Sequence, residues 1–261
     1  MRLFVVKVGG NVLDHPAALE AFLQNFAAIK APKILVHGGG KIASKIGDAL
    51  GIESKYLNGR RITDAATLDL VTMVYGGLLN KQVVAQLQKL GCNALGLTGA
   101  DGNVLKARKR PPEPVDYGFV GDVSAETVQT DLLRHLLQQN IVPVFAPLTH
   151  ADGKLLNTNA DTIASVLAVA MSSMYEVRLI FCFEKKGVLL DVNDASSAIR
   201  HLPRKEYEAL LQQGAFAEGI LPKLENAYAA IHAGVQEVLI GDAADLIENT
   251  GALTAGTLIT E

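Results

Sequence analysis

The run Leu3-Phe4-Val5-Val6-Lys7-Val8-Gly9-Gly10-Asn11 constrains this chain more than any other stretch. Apolar, β-prone residues without polar alternation read as a strand buried on both faces, the kind found inside a parallel sheet covered by helices. Lysine is rarely fully buried unless it is paired. Lys7 is therefore expected at the carboxyl end of the strand, reaching into a crevice. Gly9 and Gly10 remove side chains where the chain leaves the sheet, so a ligand can approach the backbone closely. A cation beside bare amide N–H groups suits an anion, most simply a phosphate. The stretch alone leaves a second reading open, in which the lysine snorkels out of an ordinary first strand.

The same grammar recurs along the chain. Residues 17–29 carry an apolar helical face through Leu19, Phe22, Leu23, Phe26 and Ile29. A short buried strand, Lys33 to His37, breaks into Gly38-Gly39-Gly40, and a helix follows over about 41–50. Strand, glycines and helix in this order give βαβ units and a parallel sheet. Residues 53–62 read as irregular chain, with a hairpin as the alternative, and a long helix runs from the Thr63-Asp64 cap to about Leu90, with a bend or close-packing point at Gly76-Gly77. Short antiparallel strands are expected over 100–123, a helix over 125–139, a strand over 141–146 and a turn at Asp152-Gly153. After Asn157 to Asp161 come an apolar helix to about Ala170, strands at 177–183 and 187–190, and helices near 204–212 and 220–233. A strand at 236–240 and a short helix at 243–249 complete the pattern. The 261 residues suit one large α/β domain, and a division into two lobes would fall within 145–175.

Totals exclude several functions. With 49% apolar and 20% charged residues the chain builds a core and is not disordered. A net charge of −3 gives no general attraction to nucleic acid or to an anionic membrane. Cys92 and Cys182 lie in apolar runs and read as core residues of a reducing compartment. No signal peptide precedes the first strand and no run is long enough to span a bilayer, so a cytoplasmic protein is expected.

Familiar catalytic signatures are also missing. Gly40-Lys41 is followed by Ile42, so there is no Walker-type loop, and Ala43 stands where a dinucleotide fingerprint needs its third glycine. The six histidines show no metal-ligand spacing. His37, at a strand end beside glycines, reads as a residue that orients the loop, with substrate contact as the alternative. What remains is Lys7 with Gly9-Gly10, the Gly38–Gly40 turn, Arg61, the segment from Asn157 to Asp161, and Lys223. Phosphoryl transfer needs positive charge around the moving group, and two lysines plus backbone amides could supply it without a P-loop. An arginine suits a substrate carboxylate because its fork binds bidentately. Each residue also has a plain structural reading: surface arginine, turn asparagine, helix-capping aspartate, solvated lysine.

The motifs KVGGN, HGGG, NGRRIT, TGADG, GFVGDV, NTNAD and GILPK, in this order, resemble the amino-acid kinase family over about residues 3–259. NGRRIT with NTNAD is most similar to its N-acetylglutamate kinase branch. That resemblance implies a three-layer αβα sandwich around a largely parallel central sheet. It implies a single domain over 1–261, with the half to about 157 holding an N-acyl-L-glutamate and 158–261 holding ATP. Lys7 and Lys223 would stabilise the transferring phosphoryl group, and Asp161 would orient both. Gly9, Gly10 and Asn11 would take phosphate oxygens. Gly39 and Gly40 would donate amides around the substrate, Arg61 would bind its α-carboxylate and Asn157 its neighbourhood. Glu184, Lys185, Gly187, Val188 and Leu189 would meet the nucleotide. Mg²⁺ would travel on ATP, with no protein metal site. The expected assembly is an arginine-insensitive homodimer, because the chain begins at its first strand, without the helix that accompanies arginine-inhibited hexamers. The basic run Lys106 to Arg110 reads as a solvated hairpin.

The chain departs from the family pattern at one point. Phe183 and Glu184 stand where a hydroxyl residue and an aspartate are usual. Phe183 could pack under the adenine, and Glu184 could keep a carboxylate one methylene further out. The acyl group, acetyl or succinyl, is left open, with Leu57 and Gly118 to Asp122 as the segments expected around it.

Overall fold

Eight strands form one sheet with β1 (Arg2–Val8) at its centre. On one side lie β2 (Lys33–His37), β8 (Val142–Phe145) and β5 (Ala94–Leu97). On the other lie β11 (Glu176–Phe183), β13 (Glu237–Asp242), β14 (Thr257–Thr260) and β12 (His201–Pro203). The six strands from β13 to β5 are parallel, and β14 turns antiparallel to β13. The computed structural model describes residues 1–57, 60–191, 193–216 and 220–261, so Asn58-Gly59 and Gly219 of the quoted motifs lie outside the described residues.

The pleat of β1 divides the core. Phe4, Val6 and Val8 face α2 (Pro16–Ala28) and α5 (Asn80–Lys89) through Phe22, Phe26, Val83 and Leu87. Leu3 and Val5 belong to the opposite layer, with Leu133 of α6 (Thr130–Gln138), Ile163 and Leu167 of α7 (Ala160–Met171), and Leu224 and Ala227 of α9 (Leu221–His232). Side chains alternate along a strand, so Lys7 shares the face of Leu3 and Val5 and points toward α7 and α9. The three-layer αβα arrangement expected from the motifs is the one observed.

Residues before Ala146 supply the strands on one side of β1, and residues after Tyr175 those on the other. The order therefore reverses at β1, and its loop and those of β2 and β11 open on the same edge of the sheet. In open α/β sheets that crevice is where ligands bind.

Several local expectations change. The bend expected at Gly76-Gly77 is a π-helical segment, Thr72–Leu79, continuous with α4 (Ala65–Val71) and α5. Residues 187–190 are not a strand: the Val188 N–H donates to Thr257 Oγ1 at 2.8 Å, and Leu189 makes only an isolated bridge to Ala198. The helix expected at 243–249 is two 3₁₀ turns, Ala243–Asp245 and Glu248–Thr250. That expected at 125–139 starts with a 3₁₀ turn, and α6 itself covers Thr130–Gln138. A short helix α1 (Gly10–Leu13), strand β14 and the edge strand β12 carry no readable periodicity. The remaining elements are α3 (Gly40–Ala49), α8 (Arg204–Gln212) and three antiparallel pairs. The pairs are β3 (Tyr56–Leu57) with β4 (Arg60–Arg61), β6 (Arg108–Lys109) with β7 (Gly121–Asp122), and β9 (Leu148–Ala151) with β10 (Lys154–Asn157). Among the described residues no helix is long and apolar enough to cross a membrane.

Leu167 is wholly buried between α7 and the sheet. Leu167→Ala is expected to destabilise the fold by about 2–5 kcal/mol, read as a lower urea midpoint with an unchanged slope.

Candidate active site

Lys7 is buried and its ammonium lies 2.8 Å from Asp161 Oδ1. Asp161 belongs to the first turn of α7, but it is not the cap. Asn159 takes that role, its side chain accepting the Thr162 N–H at 3.0 Å. The carboxylate is thereby left to face β1. Lys223, near the start of α9, approaches the same carboxylate from the other helix of that layer. Burial lowers the pKa of its ammonium, Asp161 opposes that shift, and Lys7 adds to it as a like charge. Three residues far apart in sequence thus meet at the carboxyl end of β1.

The two glycine loops adjoin this cluster. A side chain at Gly9 would begin 3.7 Å from the Lys7 ammonium. The Gly38 N–H donates to the Val8 carbonyl at 3.0 Å, tying the loop after β2 to the end of β1. Gly39 is required by close packing, since a Cβ there would fall 2.6 Å from Leu79 Cδ1 and 2.8 Å from the Tyr75 ring. Gly40 opens α3 and Gly10 opens α1, while Asn11 is half-buried in that short helix.

His37 holds this region from beneath. Its ring is fully buried, with Nδ1 2.7 Å from the Gly38 carbonyl and Nε2 3.2 Å from Asn80 Nδ2. Asn80 Nδ2 also donates to the Val144 carbonyl at 2.9 Å. This pattern fits the neutral tautomer that donates from Nδ1 and accepts at Nε2. Burial lowers the pKa to about 4, against a smaller opposing effect of the Gly38 hydrogen bond. The loop-orienting reading of this histidine is the one its geometry fits.

Next to the glycine loop is a cavity of about 230 Å³. Gly38 and Gly39 line one wall, and Asn157, Thr158 and Asn159 another. Arg61 reaches it from the β3–β4 hairpin. Its guanidinium donates to Ser44 Oγ at 3.0 Å and to Ser54 Oγ, and stacks on Tyr56, its cross-strand neighbour, at 4.7 Å. Tyr75 lies in the same wall, and burial raises the pKa of its phenol. Asn157 Nδ2 donates to Thr63 Oγ1 at 3.0 Å. Gly118 allows that junction: at φ 76°, a side chain there would meet the Thr63 carbonyl at 2.1 Å.

Arg110 also lines the cavity, against the expectation of a solvated basic run. Its Nε donates to both oxygens of Asp122, at 3.0 and 3.2 Å, and its Nη2 adds a third bond. The adjacent positives Lys106, Arg108 and Lys109 mask this residue in the sequence, and the usable signal was the aspartate of GFVGDV. Tyr56, Arg60 and Tyr75 were likewise not singled out. Leu57, expected near the acyl group, is not part of the lining, whereas Val120, Gly121 and Asp122 are.

The residues expected at the nucleotide divide into two environments. Glu184 and Lys185 are exposed beyond β11, while Gly187, Val188 and Leu189 are buried, Val188 entirely within the core. The Phe183 ring lies 3.6 Å from the Lys223 ammonium and 5.4 Å from that of Lys7. It is turned toward the lysine cluster rather than left as an open platform.

A family model described as the amino acid kinase family matches residues 2–242. The chain belongs to the amino acid kinase family. It is 55% identical over 251 residues to the acetylglutamate kinase of Parabacteroides distasonis, covering 96% of this chain and 98% of that one. It is 40% identical over 254 residues to the acetylglutamate kinase of Methanopyrus kandleri, covering 95% and 98%. Among solved structures, N-acetylglutamate synthase from Neisseria gonorrhoeae, complexed with coenzyme A and N-acetyl-glutamate, superposes with a TM-score of 0.82 at 21% identity. That match covers 99% of this chain and 59% of the other, a likeness of fold. Within this amino acid kinase fold the lysine cluster and the arginine-lined cavity are neighbours, which suits transfer between two small anionic molecules.

The buried imidazole predicts an acid sensitivity. Between pH 6.5 and about 4 the unfolded chain carries a proton on His37 that the folded chain lacks, so stability falls as pH is lowered through this window. The component amounts to about 3 kcal/mol between pH 7 and pH 4. Urea titrations at those two pH values should show wild type losing that much more than His37→Asn.

Proposed function

We propose that this chain phosphorylates the γ-carboxylate of an N-acyl-L-glutamate, N-acetyl-L-glutamate first, with ATP as donor, in arginine biosynthesis. The meeting of Lys7, Asp161 and Lys223 beside the Arg61 cavity carries this reading, and the acetylglutamate kinase relatives name the acceptor.

The acceptor carboxylate is already ionised at neutral pH and needs no strong base. It attacks the γ-phosphorus in line, the bond to the ADP oxygen breaks, and an acyl phosphate forms without an enzyme intermediate. Charge on the equatorial oxygens is the main obstacle, and fixed ammonium groups and amides lower it. Lys7 and Lys223 supply the charge, while Asp161 keeps them oriented. Gly9, Gly10 and Asn11 hold phosphate oxygens. Gly39, Gly40, Arg61 and Asn157 hold the acyl-glutamate, with the Arg61 fork on its α-carboxylate. Residues to about 157 take the amino acid, and 158–261 the nucleotide. Glu184, Lys185 and Gly187 to Leu189 frame the nucleotide, the last three through backbone and packing because they are buried. Kinases of this family use ATP, and Mg²⁺ arrives on it as part of the co-substrate. The same reading makes the protein a cytoplasmic homodimer.

An ATP-consumption assay with N-acetyl-L-glutamate, N-succinyl-L-glutamate and free glutamate tests the proposal. Turnover is expected with an N-acyl substrate and not with free glutamate, and equal turnover of free glutamate would overturn it. Lys223→Ala should lower kcat by roughly 10²–10³-fold while leaving N-acyl-glutamate binding nearly intact. Because the folded environment depresses the Lys223 pKa, the charged form is lost with rising pH earlier than for an ordinary lysine. The alkaline limb of the kcat/KM profile for ATP, which reports the site before the nucleotide binds, should therefore lie below the usual lysine value, and Lys223→Arg should move it upward.

A further inference from the structure

Two ammonium groups share one carboxylate in this site, which leaves open what fixes the second. Asp161 lies 2.8 Å from Lys7. Among the described residues no carboxylate comes within ion-pair distance of Lys223. Its contact is the Phe183 ring, 3.6 Å from ammonium to centroid. Like-charge repulsion from Lys7 acts to push it away.

We propose that Phe183 is a positioning residue for phosphoryl transfer, its ring holding the Lys223 ammonium beside Asp161 until the phosphoryl oxygens take it over. The inference rests on the reading of Lys223 as a phosphate-facing lysine. The ring is itself fixed. Phe183 ends β11, pairs with Asp242 of β13, and stacks on Phe181 with centroids 6.3 Å apart. Phe181 is opposite Lys7 in the β1–β11 register, and a residue two further along points to the same face. The strand thus aims this ring at the layer that carries α7 and α9.

An aromatic face suits the task better than a second carboxylate. A carboxylate at this distance would form a charge-assisted pair with Lys223 and compete with the phosphate. The ring attracts a cation through its quadrupole, without a hydrogen-bond acceptor, and yields to a phosphate oxygen. An aromatic residue where the family pattern has a hydroxyl then has a physical purpose.

The test replaces Phe183 with Leu, Tyr and Trp, and with mono-, di- and trifluorinated phenylalanine, whose size changes little while the ring's negative face weakens step by step. One readout is kcat and KM for N-acetyl-L-glutamate. The other is the NMR shift of the Lys223 ε-methylene in ¹³C-lysine-labelled protein, free and with a non-hydrolysable ATP analogue. Expected are a roughly 10-fold or greater loss of kcat in Phe183→Leu, a graded loss along the fluorinated series, recovery with Tyr or Trp, and unchanged KM for the acyl-glutamate. The ring-shifted ε-methylene should return to an ordinary position in Phe183→Leu and on addition of the analogue. A flat kcat across the series, or a Lys223 shift indifferent to Phe183→Leu, would overturn the proposal. The shift needs no turnover, so a wild type inactive on N-acyl-glutamates would sink the functional reading while the shift still decides the ring contact.

Discussion

A lysine enclosed by a hydrophobic sheet is tolerable only where an opposite charge meets it, and in this molecule Asp161 meets Lys7. Much of the site follows from that one pair. The pleat sends Lys7 to the face packed by α7 and α9, so the carboxylate must come from one of those helices. It comes from the first turn of α7, where a negative charge also matches the helix dipole. Asn159 takes over capping, which frees Asp161 to turn inward. Lys223 follows from the same layer, because α9 packs beside α7 through Leu224 and Ala227.

The glycine loops are set by a different and uncharged device. His37, Asn80 and the carbonyls of Gly38 and Val144 form a buried chain of hydrogen bonds linking the ends of β2 and β8 to the start of α5. A neutral imidazole suits this place because it can donate to one partner and accept from another. A protonated ring would put a further positive charge beneath loops that already adjoin Lys7. The scaffold of the loops and the charge of the lysine cluster therefore stay separate, and the π-helical segment before Asn80 brings Tyr75 and Leu79 against Gly39.

Legibility in the sequence tracked how local each cause was. The first strand, the lysine near its end and the glycine turns were readable because a single unbroken run encodes them. Asp161 and Lys223 could be associated with Lys7 only through the ordered motifs, since no periodicity joins residues so far apart. Arg110 was misread because its reason for facing inward is Asp122, on another strand of a small sheet, while its chain neighbours are solvated cations. The run 187–190 resembles a strand in composition, yet its hydrogen bonds go to Thr257 and Ile199, partners no local pattern reveals. The strands β14 and β12 are too short to show alternation; β14 exists because β13 offers it an edge, and β12 because β14 does.

Burial alone does not set the lysine cluster apart from the other buried cations here, but the disposition of their donors does. Lys33 is buried, and burial lowers its pKa as it does for Lys223. Its ammonium nevertheless donates to the carbonyls of Phe26, Ala27 and Ile29 at 2.8, 3.0 and 2.7 Å, so all three N–H groups are committed to the end of α2. Arg178, buried at the opposite end of β11 from the lysine cluster, meets Glu237 at 2.6 Å and the carbonyls of Asn249 and Gly251 at 2.9 and 2.7 Å. Both hold the fold and have little left for a ligand. Lys7, by contrast, has one carboxylate oxygen and an aromatic ring, and Lys223 has the ring. An aromatic face takes no hydrogen bond from an ammonium in the way an oxygen does, so among the described residues most of their N–H donors meet no acceptor. Buried donors without acceptors are costly to keep. They are sustainable in a crevice that water or an anion can enter, which is where the proposed phosphoryl transfer would take place.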